Sequence, residues 1–307
     1  MAEVENRSHA RPGSRFVDPR VLARIDHLDL LARTVVEGFI GGLHRSPYLG
    51  LSVDFAGHRQ YMPGDDIRLI DWRVYGRTDR FYIRQFEADS NTDFTVLLDT
   101  SRSMAFGHES VTKLDYGRYL AACLTYFAAK QRDRVGFVSF NDQVVEYVPP
   151  SARHRDRILH TLARIEPGGR SDLDRPLWKV AEASRRRGIV VLISDLYDTP
   201  WSIRKALQRI AFKGNDMIVF HVLDRAEIEF PFETPAEYQD MESGEAIPVL
   251  PDRLRERYRE LVAEHIETLG RILRRDRIDY VLMDTSRPLD HALFAYLSMR
   301  QRLTRVR

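Results

Sequence analysis

The sequence predicts a doubly wound α/β domain with a mostly parallel central sheet, preceded by an N-terminal helix and a small β-rich segment. Three observations lead there. Runs such as FTVLLD, GIVVLIS and MIVFHVL are nearly continuous in apolar residues, the texture of strands covered on both faces. They alternate with amphipathic helical stretches, as strand–helix–strand crossovers require. The chain has 307 residues with 43% hydrophobic and 30% charged, long enough and ordinary enough to enclose a substantial core.

The elements follow in order. Residues 1–18 are polar, with Pro and Gly, and read as a disordered tail. Residues 19–90 form the N-terminal helix and β-rich segment. In the helix, Leu22, Ile25, Leu28, Leu31, Ala32, Val35 and Phe39 share one face, Pro19 suits the first turn and Gly41–Gly42 are expected to end it. Such a stripe is expected to pack on the neighbouring domain. Pro63-Gly64-Asp65 predicts a turn, and Phe81–Phe86 alternates as a half-exposed strand.

The α/β domain spans 91–307. Its expected strands are 93–98, 134–140, 188–194, 217–223 and 279–284, with a short hairpin strand at 144–148. Its expected helices are 113–130, 153–165, 173–184, 202–212, 252–274 and 289–303. A hairpin insertion near 227–249 should turn at Ser243-Gly244.

Bulk charge narrows the function. A net charge of +2 gives no electrostatic footprint for nucleic acid, so none is expected as a partner. The N-terminal MAEVENRSHARPGSRF has no apolar core and reads as no secretory signal, and no run approaches the ~20 apolar residues of a membrane span. A cytoplasmic protein is expected. The single Cys123 lies in an apolar helical stretch and reads as a buried, inert thiol. No phosphate-binding G-x-x-x-x-G-K-[ST] loop is present, so any ATP-driven work belongs to a partner.

Ligand sites of open α/β sheets lie at the carboxyl ends of the strands. Three loops are expected there: DTSRS after the first strand, EPGGRSDLD from Glu166 to Asp174, and SDLYD from Ser194 to Asp198. They offer Asp99, Ser101, Ser103, Ser171 and Asp195, all oxygen donors without His or Cys. A hard cation such as Mg2+ or Mn2+ suits that set, whereas zinc favours nitrogen and sulfur. Two carboxylates among neutral oxygens leave such a cation able to accept one more acid from outside. The plainer role for Asp99 and the serines is to cap the turn that follows.

DTSRS, GGRSD and ISD resemble the metal-ion-dependent adhesion site of von Willebrand factor A (vWA) domains. That resemblance implies Asp99, Ser101 and Ser103 as the first motif, Ser171 where threonine is usual, and Asp195 as the third-loop acid. The segment upstream, with Arg59, Tyr61, Gly64, Asp65, Asp66, Arg68, Ile70, Asp71 and Trp72, resembles the signature of the bacterial domain of unknown function 58 family. Members of that family carry a vWA-like domain and are commonly encoded beside MoxR-type AAA+ ATPases. The resemblance therefore implies a MoxR-type ATPase as partner, with a client protein offering Asp or Glu.

Other residues have bland readings. Asp65, Asp66 and Asp71 interleave with Arg59, Arg68, Arg73 and Arg77, so a salt-bridged network is expected rather than a second metal cluster. Trp72 is expected to anchor the segment against the sheet, and His221 to be a hydrogen-bonded core residue. The function expected is a non-catalytic interaction module working through a bound Mg2+. The alternative is a metal-dependent phosphatase or hydrolase, with Asp172 or Asp198 as base; Ser101 stands where an aspartate-nucleophile phosphatase carries its acid.

Overall fold

A computed structural model describes residues 19–25, 27–45, 57–62, 70–85, 92–184 and 186–306. The expected tail at 1–18, the Pro63 turn, and Asp65, Asp66 and Arg68 lie outside the described residues.

The N-terminal stripe forms two helices rather than one, α1 (Pro19–Leu22) and α2 (Leu28–Arg45). The first closes on a tight turn in which the Ile25 amide donates to the Leu22 carbonyl, and the second starts with Asp29 in its first turn, where an acid suits the helix dipole. Gly41–Gly42 do not stop α2, which continues to Arg45. Leu28, Leu31, Ala32, Val35, Val36 and Phe39 are buried and join the main core.

β1 (Gly57–Gln60) pairs antiparallel with β2 (Tyr82–Gln85), and α3 (Trp72–Thr78) lies between them in sequence. Asp71 caps α3, accepting from the Arg73 and Val74 amides at 3.0 and 3.3 Å. Trp72 is 62% exposed and meets Tyr75 and Phe81 edge-on. Among the described residues its ring contacts lie within this small unit, and the expected role as an anchor on the sheet is corrected. Its place at the first position of a capped helix, one residue past the buried Asp71, leaves the indole open to solvent.

The α/β domain continues with β3 (Asp93–Asp99), α4 (Lys113–Lys130), β4 (Arg134–Phe140), β5 (Val144–Ser151), α5 (Arg155–Arg164), α6 (Asp174–Ala183), β6 (Gly188–Ser194), α7 (Pro200–Ala211) and β7 (Asp216–Leu223). It is completed by α8 (Arg225–Glu229), β8 (Ala236–Gln239), β9 (Ala246–Val249), α9 (Pro251–Arg275), β10 (Asp279–Asp284) and α10 (Asp290–Val306). The central sheet has the order β10–β7–β6–β3–β4–β5. Its strands are parallel except β5, which runs antiparallel along β4 at one edge. β5 contains Pro149 and Pro150 and has two register irregularities against β4.

Every residue of β6 is buried, as are the last four of β3. Val96, Leu98, Val191 and Ile193 face a core shared with α2, α4, α5 and α10. Leu97, Val190 and Leu192 face a second core shared with α6, α7 and α9. Helices on both faces are the doubly wound arrangement expected. From β3 the chain builds the sheet outward through β4 to β5, then returns to β6 and builds the other way through β7 and β10. Strand order therefore reverses between β3 and β6, at whose carboxyl ends Asp99 and Asp195 lie. The hairpin insertion begins with the short helix α8 and turns at Gly244, whose φ of 78° is the left-handed conformation glycine accepts without strain.

Candidate functional site

The loop after β3 places Asp99, Ser101 and Ser103, all buried. The Ser101 amide donates to Asp99 Oδ1 at 2.9 Å, and the Ser101 and Ser103 hydroxyls lie 3.1 Å apart. The turn is stitched to the second loop through backbone. Gly168 N donates to Thr100 O at 2.8 Å and Arg102 N to Gly169 O at 3.2 Å, while Asn141 Nδ2 donates to Gly168 O at 2.9 Å. Gly169 has φ +75°, and a Cβ there would lie 2.5 Å from Asn141 Nδ2. Glycine takes that φ without strain, and any side chain there would have to displace Asn141. Two residues on, Ser171 Oγ donates to Asp99 Oδ2 at 3.5 Å. The loops named from sequence do converge on Asp99.

Asp195 lies just past β6, fully buried. Its backbone is held by His221, whose Nε2 is 2.8 Å from the Asp195 carbonyl and whose Nδ1 is 2.7 Å from Tyr280 Oη. A carbonyl only accepts, so Nε2 carries the proton and Nδ1 accepts from the Tyr280 hydroxyl. Burial pushes the His221 pKa down to about 3, so the ring stays neutral. His221 is a hydrogen-bonded core histidine, as expected. Leu196, next to Asp195, is left-handed with φ 52°, a conformation a leucine holds only against steric cost.

Electrostatics couple the two acids. Burial, and then the Asp195 carboxylate, raise the Asp99 pKa from 3.8 to about 7, against hydrogen bonds from Ser194 and Ser101 that lower it. Asp195 Oδ2 accepts from Lys113 Nζ at 2.8 Å, while its Oδ1 is buried without a hydrogen-bond partner. It is one of six such buried side-chain oxygens among the described residues; an unsatisfied carboxylate oxygen is the kind that a cation would satisfy.

The family described as "Protein of unknown function DUF58" matches residues 57–268. The chain belongs to the DUF58 family. An uncharacterized protein of Mycobacterium tuberculosis, Rv1480, is 30% identical over 263 residues, covering 84% of this chain and 82% of its own length. A magnesium-chelatase 67 kDa subunit of Chlorobaculum parvum is 29% identical over 125 residues, 38% of this chain and 19% of that protein. Among solved structures the chain is similar to the conserved hypothetical protein BatB of Bacteroides thetaiotaomicron, with TM-score 0.49 and 18% identity over 68% of this chain and 99% of that one. It is also similar to a von Willebrand factor type A protein of Catenulispora acidiphila, with TM-score 0.33 and 14% identity over 62% of this chain and 44% of that one.

Four further residues of this DUF58 chain surround the candidate site. Ser194 Oγ donates to Asp99 Oδ2 at 2.7 Å. Lys113, fully buried at the start of α4, also donates to Glu227 Oε1 at 2.7 Å and lies 4.6 Å from the centre of the Tyr197 ring. Burial alone would lower its pKa, but Asp195 and Glu227 outweigh that and hold it above its ordinary value. Glu227 belongs to the capping box of α8, its other oxygen accepting from the Asp224 amide at 2.8 Å. Glu242, at the tip of the β8–β9 hairpin, accepts from the Ser171 amide at 3.1 Å. The sequence did carry one signal, a lysine inside a Thr-x-x-Asp capping box (Thr112 to Asp115), at the first position of the helix, where a cation is disfavoured.

The donor set fits a hard divalent cation. Among the described residues no group of three or more His, Cys, Asp and Glu side chains is arranged to hold a metal, so hydroxyls would have to complete the shell. Three acids, Asp99, Asp195 and the half-buried Glu227, stand against one lysine, Lys113, so acidic side chains outnumber basic ones in this cluster. Asp172 and Asp198, the candidate bases, bond local backbone instead, at the Asp174 and Thr199 amides. Among the described residues no helix is long and apolar enough to cross a membrane.

Proposed function

We propose that the β3–β6 edge binds one divalent cation, Mg2+ or Mn2+, and uses it to grip an Asp or Glu of a partner protein, without catalysis. The observation that supports this best is the buried Asp195 Oδ1, which has no hydrogen-bond partner, together with the Asp99 carboxyl, whose ionisation burial and then Asp195 disfavour. A positive charge reaching both carboxylates would relieve both disfavoured features. Asp99, Ser101, Ser103, Ser171 and Asp195 would hold the cation, the set that the resemblance to vWA domains implies. When bound, the cation supplies a Lewis-acid position for an incoming carboxylate. The chain's own residues do the rest. Ser194 orients Asp99, Lys113 fixes one oxygen of Asp195, and His221 anchors the Asp195 backbone from beneath.

The partner we propose is a MoxR-type AAA+ ATPase acting with an acidic client in the cytoplasm, for assembly, maturation or stress response. The matched stretch of a magnesium-chelatase subunit is consistent with a module that works as one subunit among several. Mn2+ titration followed by paramagnetic resonance tests the site: the wild type binds one Mn2+ and Asp99→Ala binds none while keeping its circular dichroism. Capture of a purified MoxR-type ATPase in Mg2+ and in EDTA tests the bridge. Equal capture in both rejects it.

A further inference from the structure

The β8–β9 hairpin leaves the domain after α8 and ends on the candidate site. Its base is fixed. Phe230 stacks on Tyr238 and packs against Phe232 and Tyr258, and Arg255 donates to the Phe230 and Phe232 carbonyls at 3.3 and 2.7 Å. The tip is a built turn. Asp240 Oδ1 accepts from the Glu242 amide at 2.9 Å and from the Ser243 amide, and Gly244 N donates to Asp240 O at 2.9 Å. This turn presents the half-buried Glu242 to the Ser171 amide, on the loop whose hydroxyl reaches Asp99.

Charge fits the contact. From Ala226 to Asp252 the chain has no Lys or Arg, while Arg170 directly precedes Ser171. The Ser243 amide holds the Asp240 carboxyl below its ordinary pKa, and the charge of Arg170 adds to this. An acidic tip therefore rests against a loop of the site that offers it a cation, Arg170, and an amide, that of Ser171.

We propose that this hairpin is a resident, displaceable ligand of the site: Glu242 stands in for a partner's acid, and the partner displaces the tip to engage Ser171 and the ion. The inference rests on the site taking carboxylates, as proposed above. The tip is suited to release because β8 and β9 have four residues each and are mostly exposed, and a lone two-stranded ribbon is marginal in water. It still competes well while docked, since a tethered group acts at an effective concentration of about millimolar. The same geometry describes the partner: a carboxylate presented at the tip of a tight turn, as Glu242 is.

The test uses the full chain, Mn2+ and acetate. Broadening of the acetate methyl resonance reports acetate beside bound Mn2+, and hydrogen exchange of the Ser171 amide reports docking without metal. Glu242→Gln, and a shortened hairpin with residues 240–245 replaced by Asn-Gly to join the paired Gln239 and Ala246, should each increase the Mn2+-dependent broadening roughly tenfold, the scale of one charge-assisted hydrogen bond. Both should also speed Ser171 exchange in EDTA. Unchanged broadening and exchange, with Mn2+ still bound, overturn the hairpin's role and leave the metal site standing. Loss of Mn2+ affinity in Glu242→Gln makes Glu242 a permanent ligand and also overturns it. If neither wild type nor variants bind Mn2+, the site reading fails and takes this inference with it.

Discussion

Lys113 lies in the first turn of α4, where the helix's own amides disfavour a cation, so its full burial must be balanced by Asp195 and Glu227. Removing one partner of a buried pair costs more than the pair contributes, because the remaining charge stays unpaired. Lys113→Met should therefore destabilise the fold by roughly 3–5 kcal/mol, and Lys113→Met with Glu227→Leu should cost less than Lys113→Met alone. Urea midpoints of the single and double variants check this. The residues missed in the sequence share a reason. Ser194, Glu227 and Glu242 reach the site only through strand adjacency and a hairpin's reach, and neither is visible in local spacing. Asp99, Ser101 and Ser103 were legible because one short loop at a strand end carries all three.

Between residue and domain, the element that positions the site is the loop from Ile165 to Leu173. Its path is set by Gly169, whose left-handed φ strains any other residue and where a Cβ would push the Asn141 side chain aside. Gly169→Ala should cost about 1–2 kcal/mol from backbone strain. Because Ser171 is only two residues on, it should weaken Mn2+ binding by more than that loss of stability alone suggests, as a Mn2+ titration at a temperature well below unfolding would show. A clean hydrophobic period makes an element legible: α4, β4, β6 and β10 match their expected bounds. The first helix was not legible in this way, since an apolar stripe with helical spacing runs through α1 and α2 and does not reveal the break between them. Gly41–Gly42 misled because a glycine inside a packed helix costs only about 1 kcal/mol, which the buried face of α2 outweighs.

At the scale of the whole molecule, Asp99 ties stability to pH. The folded carboxyl keeps its proton up to about pH 7, whereas the unfolded one releases it near 3.8. The folded state thus binds the extra proton between those values, and stability falls as pH rises through that window. In EDTA the protein should be less stable at pH 8 than at pH 5.5, by on the order of a few kcal/mol. Asp99→Asn should flatten that dependence. Mg2+ at about a hundred times its Kd should restore about 2.7 kcal/mol at pH 8, seen as a rise in Tm that Asp99→Asn lacks. The alternation of strands and helices made the fold class legible. The spatial order of the strands was not, because nothing local states that the chain turns back after β5 to place β6 beside β3. That return is what brings Asp195 to Asp99.

The antiparallel outer strand β5 has a consequence for how copies of the chain meet one another. Two adjacent imino residues, Pro149 and Pro150, and its uneven pairing with β4 deprive that border of a regular row of free amides, so another polypeptide cannot extend the sheet there. At high concentration this flank should resist ribbon-like stacking.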